Sequence, residues 1–292
     1  MNLITRADLD GITCAVLLKQ VEQIDSIRYV VPKNMQDGKV EVYTDDIIAN
    51  LPYHENCFLW FDHHASNEVI STYKGNFFIA ASAARVVYHY SAYDRNKFQP
   101  FLELLEETDR VDSAQLRLED IKSPTNFFLL SLTLEGGEGT AVDDDYRNKV
   151  VELLCKMEIS EVLEDREVKE RYMKIIDAQN SFQQILLKKS RLEKNVIITD
   201  FRPEHRAEGN RFTIYSLFPD GNISLNIYHK KEQNLCVVSV GHSIFNQTCQ
   251  VHVGDLCQKF GGGGHRGAGT CRFPIEEESE KVPQIIKLCL EA

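Results

Sequence analysis

The chain has 292 residues, 43% hydrophobic and 26% charged, a globular composition long enough for about two domains and too long for a disulfide-stapled miniprotein. Formal net charge is −11, and residues 99–170, with 19 acidic and 8 basic side chains, hold the whole excess. The remainder balances, so an anionic ligand can find a locally basic surface, whereas long duplex DNA lacks the broad basic face it needs. Eight scattered cysteines form no CxxC pair, which removes support for zinc ribbons and thioredoxin-type chemistry. With neither a signal-peptide core ahead of Asp8 nor about 20 consecutive apolar residues, a cytoplasmic protein with free thiols and no membrane partner is expected.

Short apolar runs at Asn2–Thr5, Ile27–Val31, Val40–Tyr43 and Phe58–Phe61, with a helical pattern after Asp10, predict β-α-β with further strands. That is an α/β fold, a mostly parallel sheet with helices packed on it. Acidic residues then stand at the carboxyl ends of three strands: Asp8 and Asp10, Asp45 and Asp46, and Asp62. In open α/β sheets this edge binds ligands. A helical extension runs from about residue 80 to 185, including Asn126–Leu134, Tyr146–Met157 and Glu161–Leu187. Beyond the basic segment Lys188, Lys189, Arg191 and Lys194 come strand-like runs at Val196–Thr199, Phe212–Leu217, Ile223–Tyr228 and Leu235–Val240, then a short helix and a glycine run. The division expected is a first domain over 1–185 and a smaller α+β domain over 186–292.

Asp8-Leu-Asp10-Gly11 fails as an EF-hand, because Arg6 and Leu17 stand where its first and last ligands belong. Two carboxylates at a strand-to-helix turn can still address adjacent cations, although Asp10 taken alone reads as a helix cap. Trp60-Phe61 runs straight into Asp62-His63-His64, a set of oxygen and imidazole donors suited to manganese. Two solvated histidines at a strand end are the plainer reading of that pair. Clustered carboxylates, however, repel unless a cation sits among them. Either Asp109 or Asp112, ending a predicted helix, could complete the cluster, while Glu106, Glu107 and Asp112 also read as surface charge. The run Gly261–Gly267 contains GxGxxG from Gly262, but it follows a helix and opens a strand, the reverse of a dinucleotide fingerprint. What remains is a backbone N–H nest of Gly262, Gly263 and Gly264 beside His265 and Arg266, able to cradle a phosphate, or else a flexible hinge.

Taken together, Asp8-x-Asp10, Asp45, Asp62-His63-His64, Asp109 and the distant Gly-Gly-Gly-Gly-His265 resemble the DHH/DHHA1 phosphoesterases, the group of RecJ-like exonucleases, oligoribonuclease/pAp phosphatases, cyclic-dinucleotide phosphodiesterases and exopolyphosphatase-like proteins. The resemblance implies a catalytic DHH domain with one or two divalent ions, usually Mn2+ with Mg2+ or Co2+ as substitutes, and a substrate-binding DHHA1 domain. Carried over, one cation falls to Asp10, Asp45, His63 and Asp109, and the other to Asp8 and Asp45. Asp62 is a ligand or an outer acceptor, His64 faces the scissile phosphate, and His265 with its neighbouring glycines binds the rest of the substrate. The expected partner is a phosphate-containing small molecule or a short single-stranded oligonucleotide, with homodimer formation left open.

Two residues depart from the family pattern. Arg6 stands where a histidine ligand is usual and has no lone pair to give. It turns away, contacts a phosphate or replaces a cation, since a guanidinium about 4 Å from a divalent ion costs on the order of 8 kcal/mol at an effective dielectric near 20. His242 stands where oligoribonuclease-type relatives carry a phosphate-clamping arginine, which points to the exopolyphosphatase-like branch. The activity implied is metal-dependent hydrolysis of a phosphodiester or phosphoanhydride. The alternative is a metal- or nucleotide-binding regulator of the same ancestry, weakened by Arg6.

Overall fold

In a computed structural model, residues 1–134, 144–202 and 209–291 are described. The elements in chain order are β1 (Asn2–Thr5), α1 (Leu9–Val21), β2 (Ser26–Tyr29), α2 (Pro32–Gln36), β3 (Asp46–Ala49), β4 (Leu59–Asp62), β5 (Gly75–Phe77), α3 (Ala83–Tyr88), α4 (Leu102–Asp112), α5 (Leu118–Lys122), α6 (Asn126–Leu134), α7 (Asp144–Leu154), α8 (Ile159–Glu164) and α9 (Arg166–Lys189). There follow β6 (Ser190–Glu193), β7 (Val196–Asp200), α10 (Thr213–Leu217), β8 (Ile223–Lys230), β9 (Leu235–His242), α11 (Val253–Gln258), β10 (Gly263–His265), β11 (Ala268–Pro274) and α12 (Glu278–Leu290). The chain divides into a unit of residues 1–116 and 124–173 and a unit of residues 117–123 and 174–292. The division falls inside α9, and the short α5 belongs to the second unit. No described helix is long and apolar enough to cross a membrane, and all eight cysteines are free.

The first unit is built on a sheet of order β2-β1-β3-β4-β5, with every pairing parallel. Its strands alternate between two covered faces. Leu3, Ile47, Ala49, Leu59 and Phe61 join the helices in one core, while Ile4, Ile48 and Trp60 pack with Met35, Val42 and Leu51 on the other. Burial on both faces is why these strands read as unbroken apolar runs. Helix α1, buried continuously from Leu9 to Leu18, packs against α3, α4 and α7.

Val40–Tyr43 is not a strand. Val42 instead covers the second core, and the central position in the sheet belongs to β3, which begins at Asp46. Because β3 starts where a strand was expected to end, Asp45 and Asp46 move to the opposite edge of the sheet. Asn2 pairs with Asp46 in register, at the amino ends of both strands.

The second unit carries a sheet of order β10-β11-β9-β8-β7-β6, antiparallel except for β7 with β8. One face packs on α11 and α12, the other on Phe182 and Leu186 of α9 and on Ile214 and Tyr215 of α10. Phe212–Leu217, expected as a strand, forms α10 instead. Asn210 opens it, its side chain accepting from the Phe212 N–H at 2.9 Å and its carbonyl from the Thr213 N–H at 3.0 Å. Such a local turn overrides the β preference of Phe, Thr, Ile and Tyr. The helix is then held by the Tyr215 hydroxyl, which donates to the Gly241 carbonyl at 2.8 Å and pairs with Ser224 Oγ at 2.7 Å.

Gly11 is dictated by the β1-to-α1 turn, where a Cβ would lie 2.1 Å from the Arg6 carbonyl oxygen. Gly11→Ala is expected to destabilise the first unit by about 2–3 kcal/mol. Urea unfolding followed by the fluorescence of Trp60, the single and fully buried tryptophan of that unit, reads the loss.

Candidate metal centre

Parallel strands place the ends of β1, β3 and β4 side by side, and the site grows from them. Asp8 caps α1, accepting from the Gly11 N–H at 2.9 Å. Two residues on, in the first turn, Asp10 is only 1% exposed. Its two oxygens accept from the Ala83 and Ala84 amides, each at 2.8 Å, at the start of α3. Helix N-terminal amides favour an anion there. Burial, then the charges of Asp112 and Asp8, nevertheless push the Asp10 carboxyl well above the usual carboxylate range, against the lowering effect of those two amides.

His63 follows β4 and has a side chain 10% exposed. Its Nδ1 lies 3.0 Å from the Ala80 carbonyl oxygen, which only a proton on Nδ1 satisfies. Nε2 is then the ring atom left to meet a metal ion or a proton. This atom is buried without a hydrogen-bond partner, 3.4 Å from Asp112 Oδ2 and 3.8 Å from Asp10 Oδ2. Donors about 2.1 Å from a common ion lie at most about 4.2 Å apart, so both spacings fit a small divalent cation. Two carboxylates around one imidazole nitrogen are held together by a positive charge among them, whether a proton or a metal ion. Burial and Asp8 raise the Asp112 carboxyl, while His63, Arg6 and His64 act to lower it.

Asp62 is buried and hydrogen-bonded on both oxygens. Oδ1 accepts from the His63 N–H and from His64 Nδ1, both at 2.8 Å, and Oδ2 from Asn67 Nδ2 at 2.7 Å. It orients the two histidines and, with them, forms a second group of donor atoms close enough to share an ion. The His64 ring, 4.2 Å from that of His63 between centroids, has its pKa raised by the Asp62 hydrogen bond, against the lowering effect of partial burial.

Not every expected residue arrives. Asp109 accepts from Ser82 Oγ at 2.6 Å and Arg85 Nε at 2.7 Å, and so fastens the start of α3 beneath Asp10, leaving Asp112, one turn further along α4, to face His63. A buried pair of hydroxyls, Thr13 and Thr108 at 2.7 Å, locks α4 to α1 in that phase. Asp45 is exposed at the amino edge, away from the cluster, and its neighbour Asp46 is taken up by Arg28 at 2.6 Å, the Tyr43 N–H at 2.9 Å and Asn2 at 3.1 Å. At the carboxyl end of β3 stands Asn50, which donates to Asp8 Oδ1 at 3.1 Å. Asn50 ends the apolar run Ile47-Ile48-Ala49, a signal that could have located it. Arg6 pairs with Asp8, Nε to Oδ2 at 3.0 Å.

In the second unit the glycine run is a hairpin arm instead of an open nest. Gly263, Gly264 and His265 form β10, paired to Thr270, Gly269 and Ala268 of β11. Gly262 is compulsory, since a Cβ there would lie 2.1 Å from the Thr270 carbonyl oxygen. His265 and Arg266 are exposed at the tip. His242 supports the turn, its N–H donating to the Gly267 carbonyl at 2.8 Å and its Nε2 lying 2.9 Å from the Val251 carbonyl oxygen.

No family model and no curated protein matches the chain. Among solved structures it is similar to the pGpG-specific phosphodiesterase PggH from Vibrio cholerae, with 33% identity, 99% of each chain covered and a TM-score of 0.88. It is also similar in fold to RecJ in complex with Mn2+ from Thermus thermophilus, with 11% identity, 100% of this chain and 52% of that chain covered, and a TM-score of 0.55.

His63→Ala and Asp112→Ala are each expected to weaken Mn2+ binding by about 100-fold or more, and Asp109→Asn by about 10-fold through the loosened start of α3. Asp45→Ala should leave it unchanged. Isothermal titration calorimetry of the four variants separates ligand, support and bystander.

Proposed function

We propose that this chain, which belongs to the DHH/DHHA1 phosphoesterase family, is a divalent-cation-dependent phosphodiesterase acting on a short linear dinucleotide of the pGpG type. The single observation that carries the metal requirement is the orphaned His63 Nε2 between Asp10 and Asp112. Identity of 33% with a pGpG-specific enzyme over nearly the whole of both chains supports the substrate, in preference to an exopolyphosphatase-like specificity.

Asp10, His63 and Asp112 would hold the ion, and the mixed oxygen and imidazole donors suit Mn2+, with Mg2+ or Co2+ as substitutes. When bound, it supplies Lewis-acid polarisation of a phosphoryl oxygen and a lowered pKa for attacking water. The protein's own part is positional. Asp62 commits His64 Nδ1, leaving Nε2 of that half-buried ring for a phosphoryl or leaving oxygen. The Ala80 carbonyl fixes the His63 tautomer, and the α3 amides keep Asp10 in one rotamer. On the second unit, His265 and Arg266, raised on a hairpin that needs glycine at 262 and 264, are assigned to phosphate binding, with His242 behind them as the turn's support. Eight free thiols agree with a cytoplasmic setting.

Incubation of the purified chain with pGpG, pAp and tripolyphosphate, resolved by ion-exchange chromatography, tests the reading. Rapid loss of pGpG with Mn2+, suppression of at least about 100-fold by EDTA and recovery on readdition are expected. Preference for tripolyphosphate would move the chain to the exopolyphosphatase-like branch. Binding of pGpG without turnover would make it a regulator.

A further inference from the structure

Resting on the phosphohydrolase reading, we infer that the site holds one divalent cation and that the Arg6 guanidinium stands in for a second, contacting a phosphoryl oxygen of the substrate. Asp8 is the carboxylate of this edge that lies beside Arg6, and its oxygens are already engaged. Oδ1 receives the Gly11 N–H at 2.9 Å and Asn50 Nδ2 at 3.1 Å, and Oδ2 faces Arg6 Nε at 3.0 Å. The first of these contacts is the cap of α1, the helix that carries Asp10, so Asp8 cannot turn to a metal without loosening the other ligand set. Asn50 offers a neutral amide, not a carboxylate, from the central strand.

The one charge that Asp8 could offer a second ion is already set against the Arg6 guanidinium. A second dication would have to settle beside a guanidinium that repels it and has no lone pair to share.

Arg6 is also suited to substrate. Its side chain is 34% exposed, and among the described residues only Asp8 pairs with it. Its partner Asp8 caps the helix that carries Asp10, which puts the guanidinium beside the first turn of α1. A planar fork of N–H donors matches two phosphoryl oxygens as an ammonium cannot.

Metal-free full-length chain titrated with Mn2+ and followed by electron paramagnetic resonance should bind one ion, with no spin coupling from a manganese pair. Arg6→His combined with Asn50→Asp should bind two. Arg6→Gln, checked for native circular dichroism, should still bind one ion while kcat/KM for pGpG falls about 10- to 100-fold, the loss of a charged hydrogen bond. Two coupled ions in the natural chain, or undiminished kcat/KM in Arg6→Gln, would overturn the inference. A folded natural chain that binds no Mn2+ overturns instead the phosphohydrolase reading beneath it.

Discussion

A carboxylate with almost no exposure to water sits in the first turn of α1, and the arrangement of the first unit is the arrangement of its partners. Unpaired, a buried charge of this kind costs several kcal/mol. Asp10 is instead met by two amides from α3 on one side and approached by His63 and Asp112 on the other. Gly11 permits the tight turn that brings it there, and the Thr13 to Thr108 contact fixes the rotation of α4.

Acidic side chains at this edge divide by what already touches them. Asp62 and Asp109 have their oxygens filled by hydrogens from the protein, so they act by holding other groups in place. Asp8 is divided between a helix cap and a guanidinium. Only Asp10 and Asp112 face the unpartnered His63 Nε2 among the described residues. Chemical identity is the same in all five, and Asp10 too accepts a hydrogen on each oxygen; what else faces each carboxylate decides its role.

Much of this was readable from the residues. Asp8-x-Asp10 and Asp62-His63-His64 are local signals, each tied to the end of a strand whose apolar run is plain, and they fall where the sheet edge puts them. Asp45 was misplaced because Val40–Tyr43 alternates like a strand while only covering one, and a four-residue central strand beginning with a buried aspartate carries no such pattern. Choosing Asp112 over Asp109 needed knowledge of Arg85, whose claim on Asp109 comes from a helix distant in sequence. Asn50 escaped notice because an amide among acidic candidates draws no attention until its neighbour's hydrogen bonds are counted. The glycine run was rightly separated from a dinucleotide fingerprint by its order of helix and strand, yet its pairing into a hairpin depends on β11, which no local signal announces.

The three groups of the cluster come from α1, from the end of β4 and from the final residue of α4, segments that meet only in the folded chain. An unfolded chain therefore has no comparable site, and any ligand that requires all three is bound at the expense of the unfolded population. At 100 times its dissociation constant such a ligand adds about 2.7 kcal/mol to unfolding. The last turn of α4, which frays most readily in a free helix, would be the first segment to gain. Cellular supply of the ion would then govern how long the protein survives proteolysis, as well as how fast it works.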